Sequence, residues 1–259
     1  MNRQLDTQVI SLALKGKLNM TIEGDSISSI VANEFLLGQS NNYSQGNYYI
    51  PVLSKSHRYT YFHPSGIRND HMFSQRSSDS ILMDFGNEFP AILEYNSLSM
   101  SNVINERRDG LFNAAIKHLD KKKRKTLKKR IQFLLENKVR CIPLNQEIVN
   151  ISFALLHDFQ KQHNLKADFR NSWNDILILS SAINNCDELI TEDCELAKFA
   201  ANMYEVNSKR NSGFLEICFS ELTNTDEKYT PTDSKGYINR GWRVQFNIAD
   251  KINPKQKPI

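Results

Sequence analysis

Residues 173–203, WNDILILSSAINNCDELITEDCELAKFAANM, decide how this chain folds. Trp173–Asn184 is rich in Ile and Leu at helical spacing, and Glu188–Thr191 is a short apolar run bounded by polar residues. Cys194–Met203 returns to a helical period, and the apolar stretch Phe214–Phe219 reads as a further strand. Strands alternating with helices predict an α/β fold with a mostly parallel central sheet flanked by helices. The opening of the chain follows the same pattern. Gln4–Val9 reads as a strand and Ile10–Lys17 as a helix, with Gly16 near its stop. Asp25–Ile27 enters a second unit, where Ser28 and Ser29 are good N-caps for a helix Ile30–Leu37 ending at Gly38.

Between these two blocks the periodicity fails. Asn, Ser, Gly, Tyr and His dominate residues 39–80 (SNNYSQGNYY, HRYTYFHPSG), which are too aromatic for a linker. We expect an irregular or β-containing insertion over about 39–110, with 81–104 helical in part. From Asp109 to Asn137 the period is helical, with Ile116, Leu119, Leu127, Ile131, Leu134 and Leu135 on one side. Arg140–Leu144 reads as a strand and Gln146–Gln162 as an amphipathic helix. The reading gives one domain over 1–221 and an extension over 222–259. In that extension Tyr237, Trp242, Val244 and Phe246 are candidate anchors of a small hairpin, and the end beyond Asp250 is expected to be disordered.

The 259 residues include 40% hydrophobic and 24% charged residues, an ordinary globular balance. No run approaches the roughly 18–20 apolar residues of a membrane span, and the first residues do not resemble a signal peptide. The expectation is therefore a cytoplasmic protein that does not enter a membrane. The four cysteines, Cys141, Cys186, Cys194 and Cys218, lack zinc spacing and are expected to be buried thiols. Net charge is only +4, yet its distribution is uneven: KKKRKTLKKR, residues 121–130, holds eight of the 33 Lys and Arg. Like charges at i,i+4 repel, so such a face points to an anionic partner or to a solvated surface. The candidate phosphate contacts are Lys121, Lys122, Lys123, Arg124, Lys125, Lys128, Lys129 and Arg130.

Acidic residues supply the chemistry. Parallel sheets carry their sites at the carboxyl ends of strands. Asp6 sits near one such end and Asp193 just after Glu188–Thr191. Glu34 and Asp175 are charges within otherwise apolar helices, where an unpartnered carboxylate is costly. A divalent cation would be a partner for them, and Mg²⁺ or Mn²⁺ takes oxygen ligands. The plain alternative for Asp6 and Asp193 is a helix N-cap, and for Glu34 a solvated helix position. Glu192 reads as exposed, and Glu195 is open between cluster and surface. His57, Arg58, Tyr59, Tyr61 and His63 read as the insertion's own small core, with base stacking as the alternative.

Four segments in order resemble the PIN-domain nuclease family, particularly its bacterial toxin branch: LDTQVIS from Leu5, ISSIVANE from Ile27, NDILIL from Asn174 with Ala182, and LITED from Leu189. The resemblance covers about residues 1–38 and 140–220. It implies a PIN-like fold in which Asp6, Glu34, Asp175 and Asp193 hold metal and cut RNA. Thr7 or Thr191 would shape the site, with Asn174 in support. It also implies a protein partner that restrains the activity, as in toxin–antitoxin pairs, and leaves a homodimer open. The chain departs from the family at Gln8, where Asn is common, in the long separation of Glu34 from Asp175, and in the tail after 222. Rival readings are a structure-specific DNA nuclease of the same fold and a PIN scaffold that binds RNA or protein without cutting. A haloacid-dehalogenase phosphatase is excluded, because Asp6-Thr7-Gln8 lacks the second Asp two residues on.

Overall fold

The computed structural model describes residues 2–37, 48, 50, 80–84, 92–204, 208–211, 214–219, 237–238 and 242–245. The first half contains β1 (Arg3–Leu5), α1 (Thr7–Leu14), β2 (Ser26–Ser28), α2 (Ser29–Phe35), β3 (Ser80–Asp84), β4 (Ile92–Asn96) and α3 (Leu98–Asn105). Then follow α4 (Asp109–Ala115), α5 (Lys121–Glu136), β5 (Arg140–Ile142), α6 (Gln146–Gln162) and α7 (Phe169–Asn185). The chain closes with β6 (Glu188–Thr191), α8 (Cys194–Tyr204), β7 (Ser208–Asn211), β8 (Phe214–Cys218), β9 (Tyr237–Ile238) and β10 (Trp242–Gln245).

The main sheet is mixed and mostly parallel, in the order β5-β2-β1-β6-β8-β7. β5, β2, β1 and β6 run parallel, while β8 is antiparallel to both β6 and β7. β2 and β6 are buried at every residue, as expected for strands covered on both faces. Strand order runs outward from β1 in both directions, so connections leave β1 and β6 on opposite sides. That reversal opens a crevice at their carboxyl ends.

Local chemistry explains most boundaries. Ser28 caps α2 by accepting from Val31 N at 3.2 Å. Asn145 caps α6 at Ile148 N (2.8 Å), and α6 spans the predicted residues. α7 begins earlier than predicted, because Asp168 accepts from Arg170 N at 3.1 Å and starts the helix at Phe169. The long helix expected over Asp109–Asn137 is instead two helices. Asp120 turns out of helical geometry and its side chain accepts from Lys123 N at 2.8 Å, which starts a new helix.

The insertion needs two corrections. It ends before Ser97, because α3 packs on the main layer. The Asn105 amide donates to Cys141 O and accepts from Cys141 N, both at 2.8 Å, so it completes the open edge of β5 as a neighbouring strand would. Ser97 Oγ also accepts from Leu144 N at 2.7 Å. In addition, the predicted tail hairpin exists as β9 and β10, but it is not separate from the insertion. β10 pairs parallel with β3, giving a second sheet in the order β4-β3-β10-β9. β3 and β4 thus share one sheet with β9 and β10, although β5 to β8 lie between them in sequence. The aromatic cluster at 57–63, Phe246 and the end beyond Asp250 lie outside the described residues.

Cys141 and Cys186 are buried as expected, and burial pushes each thiol up to about 12. Cys194 is exposed and Cys218 half-buried, which corrects the expectation of four buried thiols. Cys194 opens the first turn of α8 on its solvent side. Among the described residues no helix is long and apolar enough to cross a membrane.

Candidate active site

The crevice between β1 and β6 holds two of the acids at its floor. Asp6 follows β1 directly and its backbone N–H donates to Ile190 O at 3.0 Å, so the chain turns at the strand end. Its side chain is also the N-cap of α1, accepting from Thr7 N at 2.6 Å through Oδ1. The other oxygen, Oδ2, accepts from Thr191 Oγ1 at 2.6 Å. The same Thr191 hydroxyl accepts from Asp193 N at 3.0 Å, which links the two strand ends through one atom. Asp193 Oδ1 in turn accepts from Glu195 N and Leu196 N, each at 2.9 Å. Both aspartates are therefore N-caps. Capping occupies only part of each carboxylate's acceptor capacity and leaves the charge in the crevice.

Glu34 enters from α2 and is held on both oxygens. Thr7 Oγ1 donates to Oε2 and Asn174 Nδ2 to Oε1, each at 2.5 Å. Asn174 is itself oriented by the buried Tyr95 hydroxyl, which donates to its Oδ1 at 2.8 Å. A chain Tyr95–Asn174–Glu34–Thr7 therefore connects the second sheet to the site through β4.

Asp175 lies one residue further along α7. Its placement relative to Asp6 is fixed by a buried clasp. Gln4 Nε2 donates to Ile178 O at 2.7 Å, and Ser181 Oγ donates to Gln4 Oε1 at 2.9 Å. Gln4 is two residues before Asp6, and Ile178 three after Asp175, so the clasp sets the register of β1 against α7.

Lys166, in the loop before α7, completes the arrangement. Its Nζ donates to Asp175 Oδ2 at 2.5 Å and to Asp193 Oδ2 at 3.1 Å. All four acids found by sequence reasoning are thus brought to one edge, with Thr7, Thr191 and Asn174 between them. Lys166, Gln4 and Tyr95 were missed. A single Lys in a polar loop carries no signal, and a strand Gln or an insertion Tyr gains its role only from what the fold sets opposite. Glu192 and Glu195 are exposed and lie outside the cluster, as is Gln8.

The charges are unevenly compensated. Burial raises the Asp6 carboxyl to about 6 against the pull of Thr191 and Thr7, with Glu34 and Asp193 adding repulsion. Burial likewise raises Asp175 to about 7 despite Lys166, with Asp6 and Asp193 contributing. For Asp193, burial is outweighed by the Leu196 N–H and by Lys166, which hold its carboxyl below the usual range. Among the described residues no group of three or more His, Cys, Asp or Glu stands in a metal-holding arrangement. With the Lys166 ammonium on two of the carboxylates, the outer part of the cluster is arranged around a cation of its own. The donor set itself, carboxylate oxygens from Asp6, Asp175 and Asp193, is of the hard type that Mg²⁺ or Mn²⁺ takes.

The basic helix α5 meets the C-terminal end of α2, the helix that bears Glu34. Lys121, Lys122, Lys123, Lys125, Lys128 and Lys129 are exposed. Arg130 differs: its guanidinium donates to Phe35 O at 2.5 Å and lies over the Phe35 ring, 5.3 Å from its centroid. It thereby closes the carbonyl end of α2, one residue beyond Glu34. Arg124 is half-buried, with an Nε that has no hydrogen-bond partner. Arg130 therefore serves the packing of α5 against α2, and both arginines are less open to solvent than the lysines. The first turn of α5 contains no acidic residue, so its lysines face the positive end of the helix dipole.

No family model, curated protein or solved structure matches this chain.

Proposed function

We propose that this chain is a metal-dependent nuclease of PIN-like fold that hydrolyses RNA phosphodiester bonds at the Asp6–Glu34–Asp175–Asp193 edge. One observation carries the reading. Four acids from four separate segments meet at the strand-order reversal: Thr7, Asn174 and Thr191, all neutral donors, hold Glu34 and Asp6, and Lys166 bridges Asp175 and Asp193. A structural ion pair does not need four like charges, and one ammonium offsets only part of the cost of crowding them.

Asp6, Asp175 and Asp193 would hold Mg²⁺ or Mn²⁺, which when bound supplies Lewis acidity toward a phosphodiester. Thr191 fixes Asp6 relative to Asp193. Thr7 and Asn174 occupy one position on each Glu34 oxygen and orient the remaining lone pairs. The exposed lysines of α5 suit the phosphates of a single strand, and Arg130 ties that helix to the segment bearing Glu34. The resemblance to the toxin branch extends the proposal to a partner protein that covers the site and restrains cutting.

Purified protein should be inactive toward RNA in EDTA and recover on addition of Mg²⁺ or Mn²⁺. Full cleavage in chelator would sink the acidic-site reading. The Lys166 bridge favours one second reading, a scaffold that keeps the acids as an internal ion pair and binds RNA without cutting. RNA binding with no cleavage at any metal concentration would select it.

A further inference from the structure

Lys166 is placed with more care than a loop lysine needs. Its backbone N–H donates to the buried Ser172 Oγ at 2.7 Å, which pins the loop to the first turns of α7. From that anchor the ammonium reaches Asp175 and Asp193, which belong to different elements, and it contacts one oxygen on each. Its side chain remains 43% exposed, against 24% and 16% for the two aspartates, so it lies on the solvent side of them. A cation that bridges two carboxylates from the mouth of a crevice stands where a metal ligated by both would need its charge.

We infer that Lys166 is a tethered counter-ion, which a divalent cation must displace from Asp175 and Asp193 and which a substrate phosphate draws aside. The inference rests on the nuclease reading above. Two consequences follow from charge alone. Without metal, Lys166 offsets repulsion within the cluster, so it competes with metal for the same oxygens. When a phosphate enters, the ammonium exchanges one anionic partner for another, and its release from the carboxylates favours metal binding. Metal and nucleic acid therefore load cooperatively, and the coupling is reciprocal. With its backbone held by Ser172, a half-exposed lysine can make this exchange by rotating about its own stem.

Mn²⁺ binding to the full chain, measured by calorimetry with and without a cleavage-resistant 2′-O-methyl oligonucleotide, tests the inference. Lys166→Met should bind Mn²⁺ about tenfold more tightly than the unaltered protein, equivalent to roughly 1.4 kcal/mol. Lys166→Gln should show the same gain, and Lys166→Arg, which keeps the charge, should stay near the unaltered protein. The oligonucleotide should strengthen Mn²⁺ binding several-fold in the unaltered protein and leave Lys166→Met unmoved. Equal or weaker Mn²⁺ binding in both neutral variants overturns the inference. Asp193→Asn separates the two levels. If it binds Mn²⁺ as well as the unaltered protein, or if the unaltered protein binds none, the metal site itself is wrong.

Discussion

The acidic edge and the basic helix are both runs of like charge, and the molecule handles them in opposite ways. At the edge, four carboxylates from α1, α2, α7 and α8 or their caps are buried or half-buried, and each has a designated partner. On α5, six lysines stand in solvent, while the half-buried Arg130 is tied to the end of α2. Burial makes the difference. In a low-dielectric crevice repulsion is strong and must be met by donors or by a cation, whereas water and salt screen an exposed face at small cost. Partnering therefore makes the first region the candidate site, and the second can be judged only by its response to salt.

The largest effect should come from breaking the acidic edge. Asp6→Asn and Asp193→Asn each remove a charge but keep the shape and much of the capping, so the fold should survive. Cleavage should fall by at least about a thousandfold, since a metal centre supplies several kcal/mol to the transition state. Near-normal turnover in either variant, measured on labelled RNA, would remove that residue from the site.

Next in size is the basic face. Replacing Lys122, Lys125, Lys128 and Lys129 by Gln should flatten the slope of log K against log salt by roughly two to three units, at about 0.7 per lost contact with a single strand. Affinity for RNA should drop about a hundredfold at physiological salt, while Mn²⁺ affinity and the rate at saturating RNA hold. A salt slope that does not move returns α5 to a solvated surface.

The smallest effect sharpens the electrostatic side of the comparison. Asp6 and Asp175 are raised to about 6 and about 7, above their values in an unfolded chain. Their contribution to stability is thus complete below about pH 4, the unfolded range, and is lost as pH rises through those folded values. Asp193 works the other way, contributing above the unfolded range and losing that contribution as pH falls. Asp193 acts only below that range, so between pH 5 and 8 the two raised carboxyls decide, and metal-free protein should melt several degrees lower at pH 8 than at pH 5. Asp175→Asn should flatten that fall, and Mg²⁺ should reverse it in the unaltered protein. A melting temperature that climbs from pH 5 to 8 in EDTA would mean that the acids are neutralised from within.

Elements whose causes are local were legible in the order of residues. α6 and β6 lie where periodicity and flanking polar residues set them, and Ser28 caps α2 because a hydroxyl before an apolar helix satisfies its free N–H groups. That order also determined which acids sit at strand ends, since a residue after a short apolar run lies at the carboxyl edge in any parallel sheet. The break at Asp120 was local too, but the apolar residues on either side share one face, and period alone cannot show a cap inside it. Only the tertiary structure decided who meets whom. Lys166 reaches Asp193 across 27 positions, Asn174 reaches Glu34 across 140, and Gln4 reaches Ile178 across 174. Those pairings follow from strand order, with β6 laid beside β1 and α7 fixed against it. β10 joins β3 for the same reason: an open sheet edge takes whichever strand the fold delivers to it.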